Sequence, residues 1–389
     1  MKISVVGLGY VGLPLTLLLS TKGYEIVAID KNEAKIKALQ KGHLPFAESE
    51  PGAIDYLKKS HNLKNVNYTS SFDEVAKSKI IIVAVDTPTN KTKPDFKSLK
   101  AALKSLSKHI PKHSILIIES TLAPKTTNSL IIPFVEKASK MKLNEDFYMA
   151  VVPERIRPNH IFEQLTSLSR VVGITDKKIE PELKKFYKSI TRGDLDFVDP
   201  TTAETVKAVE NTFRDVNIAF ANQVAIACEE LGVDAWEVRK LVNKSPFHNL
   251  HSPGAGVGGH CIPKDPWLLM SSVKKGNLSI ARYARKTNDF MPIHMHSLIE
   301  KALKEKNLNV KTARISVLGY SYVENSDDTR NSPSEILIKY LKKKKINFIV
   351  QDPYVHTMNV SLESALKHSD CLVLMVAHKD YKILNYRKL

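Results

Sequence analysis

Only three cysteines (Cys228, Cys261 and Cys371) occur among 389 residues, odd in number and far apart. They make no disulfide framework of the kind small secreted domains use, and such sparing use fits a reducing, cytoplasmic setting. No apolar run reaches the roughly 18 residues a membrane span requires, so no membrane partner is expected. The stretch from Lys2 to Leu19 superficially resembles a signal peptide, but Gly7, Gly9 and Gly12 interrupt it, and no small-x-small cleavage site follows. Acidic residues are the minority: 41 against 58 Lys and Arg leave a formal charge of +17. Such a balance suits nucleic acid, anionic membranes or anionic small molecules. Yet aromatics make up 7% of the chain, and no patch interleaves them with basic residues as a single-strand binder does. The block Lys342 to Lys345 reads as a solvated surface, so nucleic acid is not an expected partner. Repeats and low-complexity segments are absent. With 43% apolar and 25% charged residues, what is present is an ordinary soluble composition, long enough for two or three domains.

Residues 1–190 alternate short β-branched runs with helical patterns. Strands are expected at Lys2–Val6, Glu25–Ile29, Lys79–Ala84, Ser114–Ile118, Phe147–Val152 and Arg170–Ile174, which predicts a mainly parallel, doubly wound, Rossmann-like sheet. The pattern then turns all-α, with one long helix from Ala203 to Leu231 and a second helical stretch from Leu278 to Glu305. After a polar linker at Asn307 to Thr312, strand–helix alternation resumes in a smaller α/β block. The reading is an α/β protein of three domains: 1–199, a dinucleotide-binding sheet; 200–308, helical; and 309–389, a second Rossmann-like domain.

Gly7-Leu8-Gly9-Tyr10-Val11-Gly12 follows the first strand and opens an apolar helix. In such a turn the first Gly bends the chain, the second admits a pyrophosphate to the helix N-terminus, and the third allows close packing of helix on strand. Asp30 ends the next strand, 18 positions after Gly12, where an acid bonds a ribose hydroxyl and favours NAD over NADP. Thr87 and Thr121 follow later strands at the edge that lines a cofactor crevice. So does Glu154, in Pro153-Glu154-Arg155, where a carboxylate is a candidate general base. On the long helix, Lys207, Asn211 and Arg214 share one face. Asn211 and Arg214 interrupt an apolar pattern (Val206, Val209, Phe213, Val216, Ile218, Phe220), and polar groups in a buried face need a partner or a task.

The densest signal is Pro253-Gly254-Ala255-Gly256-Val257-Gly258-Gly259-His260-Cys261-Ile262-Pro263-Lys264-Asp265. Glycines allow close backbone approach, and the thiol of Cys261 has Lys264 and Asp265 nearby to support a nucleophile. An incidental Cys in a glycine turn is the plain alternative. A zinc site at His248, His251, His260 and Cys261 fits no common ligand spacing, and no metal is expected. Cys228 and Cys371 sit in apolar runs and read as small core residues.

Taken together, these residues resemble the UDP-glucose/GDP-mannose dehydrogenase family over essentially the whole chain, most specifically at Gly258-Gly259-His260-Cys261 and Pro263-Lys264-Asp265. The resemblance implies an NAD-dependent, four-electron oxidation of a UDP-sugar at C6. In it Cys261 is the catalytic thiol, Asp265 its water-handling partner, Lys207 and Asn211 stabilise oxyanions and order water, and Glu154 is the general base. Gly7, Gly9, Tyr10, Val11, Gly12, Asp30, Thr87 and Thr121 would hold NAD. Arg155, Arg214, Asn217, Gly258, His260 and Arg330 would hold the substrate. Glu119-Ser120-Thr121, Pro153-Glu154-Arg155, Arg214-Asp215-Val216-Asn217 and His260 look like the branch that oxidises 2-acetamido sugars, which makes UDP-N-acetyl-D-mannosamine the expected substrate. UDP-N-acetylglucosamine and UDP-glucose are the alternatives. A homodimer through the long helix is also implied. Val323 stands where the family usually has Lys, and relatives typically continue past the position of Leu389, so an abbreviated last domain is expected. Two competing readings remain: a two-electron 6-phosphogluconate or 3-hydroxyacid type dehydrogenase, which has no use for the Cys261 loop, and a non-catalytic NAD- or nucleic-acid-binding protein.

Overall fold

The computed structural model describes residues 1–45, 50–90, 92–157, 160–274, 276–358, 360–367 and 369–385. The chain forms two units, Met1–Glu210 with Trp267–Lys274, and Asn211–Pro266 with Lys275–Leu389.

The first unit is built on strands β1 (Lys2–Val6), β2 (Glu25–Ile29), β3 (Val66–Thr69) and β4 (Ile80–Val83), then a two-residue hairpin pair β5 (Thr89–Asn90) and β6 (Lys93–Pro94), then β7 (Ile115–Ile118), β8 (Tyr148–Val151), β9 (Arg170–Ile174) and β10 (Leu195–Val198). Eight of them form a sheet in the order β10-β9-β8-β7-β4-β1-β2-β3. Every pairing is parallel except β8 with β9. Strands such as Ile80–Val83 and Ile115–Ile118 are apolar at every position and buried throughout, as a sheet covered on both faces demands. The cover comes from α1 (Gly12–Thr21), α2 (Glu33–Gln40), α3 (Ala53–Leu63), α4 (Lys97–Leu106), α5 (Ile132–Ser139), α6 (Ile161–Ser167) and α7 (Glu180–Lys188). The chain reverses between β1 and β4, and ligands bind such sheets at the carboxyl ends beside that switch. The expected doubly wound sheet is therefore found. β3 and β10 went unread in the sequence because each is a short, mostly half-exposed edge strand.

A long helix, α8 (Pro200–Leu231), starts three residues before the expected Ala203. Pro200 suits the first turn, and Asp199 caps it by accepting the Thr202 N–H at 3.1 Å. The expectation that its apolar pattern is buried throughout needs correction. Val209, Phe213 and Phe220 are 45%, 65% and 60% exposed in the single chain.

Past α8 the chain continues with α9 (Ala235–Val242), α10 (Asp265–Ser272), most of which belongs to the first unit, and α11 (Ser279–Glu305), then a three-stranded parallel sheet β12-β11-β13 in the second unit. Its strands are β11 (Ile315–Leu318), β12 (Phe348–Gln351) and β13 (Cys371–Leu374), covered by α12 (Pro333–Lys343), α13 (Leu362–Lys367) and α14 (Lys379–Lys382). Ile299 and Leu303 of α11, Ile315 and Val317 of β11, and Leu337 and Leu341 of α12 share one core. Ala313, just past the expected linker, joins this core too. Inside the helical part, buried Asn222 bonds Asn288 at 2.9 Å and takes the Gly254 N–H at 2.8 Å, so a buried amide anchors the start of the glycine loop.

Candidate active site

The glycine turn after β1 behaves as its spacing predicts. Gly7 has φ +95°, and a Cβ there would lie 2.6 Å from the Ala84 carbonyl oxygen. A Cβ on Gly12 would lie 1.8 Å from the Gly7 oxygen, so helix and turn touch. Gly9 faces open space, with no atom within 4 Å of its would-be Cβ. A backbone opening of this kind at a helix N-terminus fits a pyrophosphate. Asp30 accepts the Leu8 N–H at 2.9 Å and binds Lys35 Nζ at 2.8 Å. Burial opposes its ionisation, but Lys35 and the Asn32 and Leu8 amides outweigh that and hold the carboxyl below its ordinary value. The turn and Asp30 are thus joined directly, through the Leu8 amide. Thr87 is buried and donates from Oγ1 to the Thr121 carbonyl at 2.6 Å, which joins the two expected cofactor residues.

The Glu154 side chain is 8% exposed and anchored twice. Its Oε2 accepts from Arg170 Nη1 at 2.9 Å and its Oε1 from the Arg155 N–H at 2.8 Å. Burial works against the charge, yet the Arg170 guanidinium prevails and the Glu154 carboxyl is held below its usual range. Lys207, itself buried, acts in the same direction. Glu119 is the converse. It is 2% exposed, and burial together with the Glu154 charge pushes its carboxyl up to about 8, against the pull of Arg170 and Tyr187. Tyr187 Oη donates to Glu119 at 3.4 Å, and the Arg170 guanidinium lies 5.3 Å over the Tyr187 ring. Arg170 thus bonds Glu154 directly and acts on Glu119 only through its charge. Sequence reasoning missed Arg170, although a lone charge opening the strand Arg170–Ile174 was the available signal. Arg155 is bound to Glu210 through Nε at 3.0 Å.

In the second unit Cys261 is exposed, as the glycine loop predicts, while Cys228 is 5% exposed and Cys371 half-buried. Asp265 is fully buried: its Oδ2 accepts from Asn211 Nδ2 at 2.5 Å, and Lys264 Nζ lies 3.5 Å from its Oδ1. The Asp265 N–H donates to the Cys261 carbonyl at 2.8 Å, closing the turn that begins α10. Asn211, Asp265 and the Cys261 backbone are thus one hydrogen-bonded group. Gly258 and Gly259 have no room for side chains against Tyr322, with would-be Cβ distances of 2.4 and 2.7 Å, and the Gly259 N–H donates to the Arg330 carbonyl at 2.8 Å. Arg330 itself grips Asp328, Nε to Oδ1 at 2.9 Å. Arg214 lines a cavity of about 380 Å³ with Arg239, Asn249, His251 and Ser252. Burial and those two guanidiniums lower the His251 pKa. Asn217 instead donates to the Phe213 carbonyl on its own helix at 2.7 Å and lies apart from this cavity lining. Among the described residues no group of three His, Cys, Asp or Glu is arranged to hold a metal, and no helix is long and apolar enough to cross a membrane.

A dinucleotide cradle on a doubly wound sheet, with an accessible thiol set on a glycine loop, defines an NAD-dependent dehydrogenase. The sequence matches the UDP-glucose/GDP-mannose dehydrogenase family in three stretches: its NAD binding domain over residues 1–191, its central domain over 201–290 and its UDP binding domain over 316–389. The chain belongs to this family, and it is an NAD-dependent nucleotide-sugar dehydrogenase. It is 36% identical over 390 residues to a UDP-N-acetyl-D-mannosamine dehydrogenase of Pyrococcus horikoshii, covering 100% of this chain and 92% of that one. The solved structure of the P. horikoshii UDP-D-ManNAc dehydrogenase superposes with a TM-score of 0.96 at 35% identity, over 100% and 92% of the two chains. A UDP-glucose dehydrogenase from Pyrobaculum islandicum gives 0.91 at 25% identity, over 99% and 92%.

Proposed function

We propose that the protein oxidises the C6 hydroxyl of UDP-N-acetyl-D-mannosamine to a carboxylate, supplying a precursor for polysaccharide or glycan synthesis. The observation that carries the oxidation past the aldehyde is the exposed Cys261 on its glycine loop, hydrogen-bonded through its backbone to buried Asp265. The sugar is supported by the greater identity to the mannosamine enzyme, 36%, than to the glucose enzyme, 25%, and by the branch-like residues Glu119, Arg155, Arg214, Asn217 and His260.

NAD⁺, when bound, supplies a hydride acceptor, and two are consumed per sugar. The chain's own groups do the rest. The Cys261 thiolate adds to the C6 aldehyde and makes a thiohemiacetal, a far better hydride donor than the aldehyde; the thioester that results is open to water. Lys207 offsets the oxyanion of each tetrahedral stage. Asn211, held by Asp265, orients the attacking water. Glu154, kept ionised by Arg170, accepts hydrogen bonds and takes up protons only in passing, while Asp265 assists Cys261 and the water. The diphosphate falls to Arg330 and neighbouring cations of the 309–389 domain, and Arg214, Gly258 and His260 face the sugar. The exposed Val209, Phe213 and Phe220 on α8 support a homodimer through that helix, and the sparing cysteine usage supports a cytoplasmic setting.

A panel of UDP-N-acetylmannosamine, UDP-N-acetylglucosamine and UDP-glucose with NAD⁺, read by NADH absorbance, tests this reading. Two NADH per sugar are expected, with kcat/KM highest for the mannosamine sugar. A site built to bond an acetamide discriminates by up to about 10⁴-fold against a plain hydroxyl. One NADH per sugar would overturn the thioester route, and a preference for UDP-glucose would overturn the branch while sparing the route.

A further inference from the structure

The loop that carries Cys261 has no regular secondary structure between Pro253 and Pro263, so its backbone polar groups depend on partners outside it. Two residues before the thiol, Gly259 has both groups taken by one neighbouring segment. Its N–H donates to the Arg330 carbonyl at 2.8 Å, and its carbonyl accepts from Asn331 Nδ2 at 2.9 Å. Asn331 has φ +50°, a left-handed conformation that Asn tolerates and most residues resist. Gly259 has φ +86°, and neither it nor Gly258 can carry a Cβ against Tyr322, so the loop has no alternative seat there. The partner segment is itself closed: the Tyr322 N–H donates to the Asp328 carbonyl at 2.9 Å, and the Asp328 carboxylate grips Arg330, Nε at 2.9 and 3.1 Å and Nη2 at 2.5 Å. A line of direct contacts therefore runs from the Arg330 guanidinium, through its own backbone and Asn331, to the peptide that carries the thiol.

We propose that Asn331 is a positioning residue for the Cys261 thiol, and that the segment Tyr322–Asn331 ties the place of that thiol to occupation of Arg330 by the diphosphate of the nucleotide sugar. The inference rests on the reading above in taking Arg330 as a diphosphate ligand. An anion on Arg330 competes with Asp328 for its guanidinium and so acts on the segment whose backbone seats Gly259. Binding energy from the unreactive end of the substrate is then spent on orienting the nucleophile at the other end, a use that raises kcat rather than lowering KM. The thiol is sensitive to such placement, because a shift of about 1 Å at a reacting group costs about 100-fold in rate.

Asn331→Gly keeps the left-handed backbone and deletes the amide, and Asn331→Asp keeps the shape but turns an acceptor toward the Gly259 carbonyl. Each would be measured for kcat, for KM of the UDP-sugar and of NAD⁺, and for hydrogen exchange of the peptide spanning Gly258–Cys261 with and without UDP. The expected result is a kcat loss of about tenfold or more for Asn331→Gly and a larger one for Asn331→Asp, each KM staying within about threefold. In the wild type UDP slows exchange at Gly259, and in Asn331→Gly that effect is lost although calorimetry still finds UDP bound. An unchanged kcat in Asn331→Gly, a change confined to KM, or UDP slowing exchange equally in both proteins would overturn the proposal. The exchange arm needs no turnover, so it still answers if the wild type makes no NADH from any UDP-sugar, a result that would sink the substrate reading instead.

Discussion

Replacing Glu119 with Gln separates the charge of the buried cluster from its shape. The folded protein pushes the Glu119 carboxyl from an ordinary 4.5 up to about 8, first through burial and then through the Glu154 charge. Between those values the unfolded chain has released this proton and the folded chain still holds it. Folding therefore takes up a proton, and stability falls as pH rises. The contribution is fully present below about 4.5 and is lost as pH climbs to the folded value near 8. Within that window the slope is about 1.4 kcal/mol per pH unit. From pH 5.5 to 7.5 the wild type should thus lose about 2–3 kcal/mol through this group alone. Gln has no proton to lose, and its Oε1 still accepts from Tyr187. The other groups that act on the site, Glu154, Arg170 and Tyr187, hold one charge state across this range in both proteins. Urea unfolding followed by circular dichroism at pH 5.5, 6.5 and 7.5 provides the assay. The gap between variant and wild type should move toward the variant by about 2–3 kcal/mol over the range, on top of any constant offset. Parallel curves, within about 0.5 kcal/mol, would refute the claim that Glu119 is neutral in the fold.

Cys261→Ala should lower NADH formation by several orders of magnitude while NAD⁺ binding, measured by fluorescence, stays intact; turnover within about tenfold of wild type would remove Cys261 from its role. Asp30→Ala should raise KM for NAD⁺ by about 10- to 100-fold, from the loss of charge-assisted ribose bonds, and leave KM for the UDP-sugar near its starting value. Equal effects on both would move the cofactor elsewhere. Gly258→Ala sets a Cβ 2.4 Å from Tyr322 Cβ and 3.0 Å from the Asn331 oxygen, so a stability loss of about 1–3 kcal/mol and a fall in kcat are expected from denaturant melts and steady-state rates. A Gly258→Ala enzyme as stable and fast as wild type would show that the loop is not seated there.

The readable parts of the fold were those where one local pattern suffices. β1, the Gly7–Gly12 turn and Asp30 announce one another in order, because pyrophosphate binding needs a strand, a bend and a helix start within a dozen residues. The Cys261 loop was legible in one respect: glycine density around a lone thiol predicts an exposed Cys, and Cys261 is exposed. What escaped depends on contacts between distant residues. Nothing local marks Glu119 as the neutral member of a carboxyl pair, since its state is set by Glu154 and Arg170, 35 and 51 positions away. Nothing local marks Asn331 either, since the Gly259 carbonyl that it bonds lies 72 positions away. The apolar stripe on α8 misled for another reason, because a face that a second surface must cover carries the same pattern as one buried within the chain.

The unequal shelter of the three sulfurs also has a practical consequence. Cys228 is shut in the core, and burial raises the pKa of half-buried Cys371, which thins its thiolate. A mild alkylating reagent under native conditions therefore has one kinetically preferred target per chain. Uptake of one label per polypeptide would count accessible Cys261 thiols directly, turning a protein concentration into a concentration of chains with an intact loop thiol. The same label, spectroscopically active, would report from the loop itself without any residue having to be engineered in.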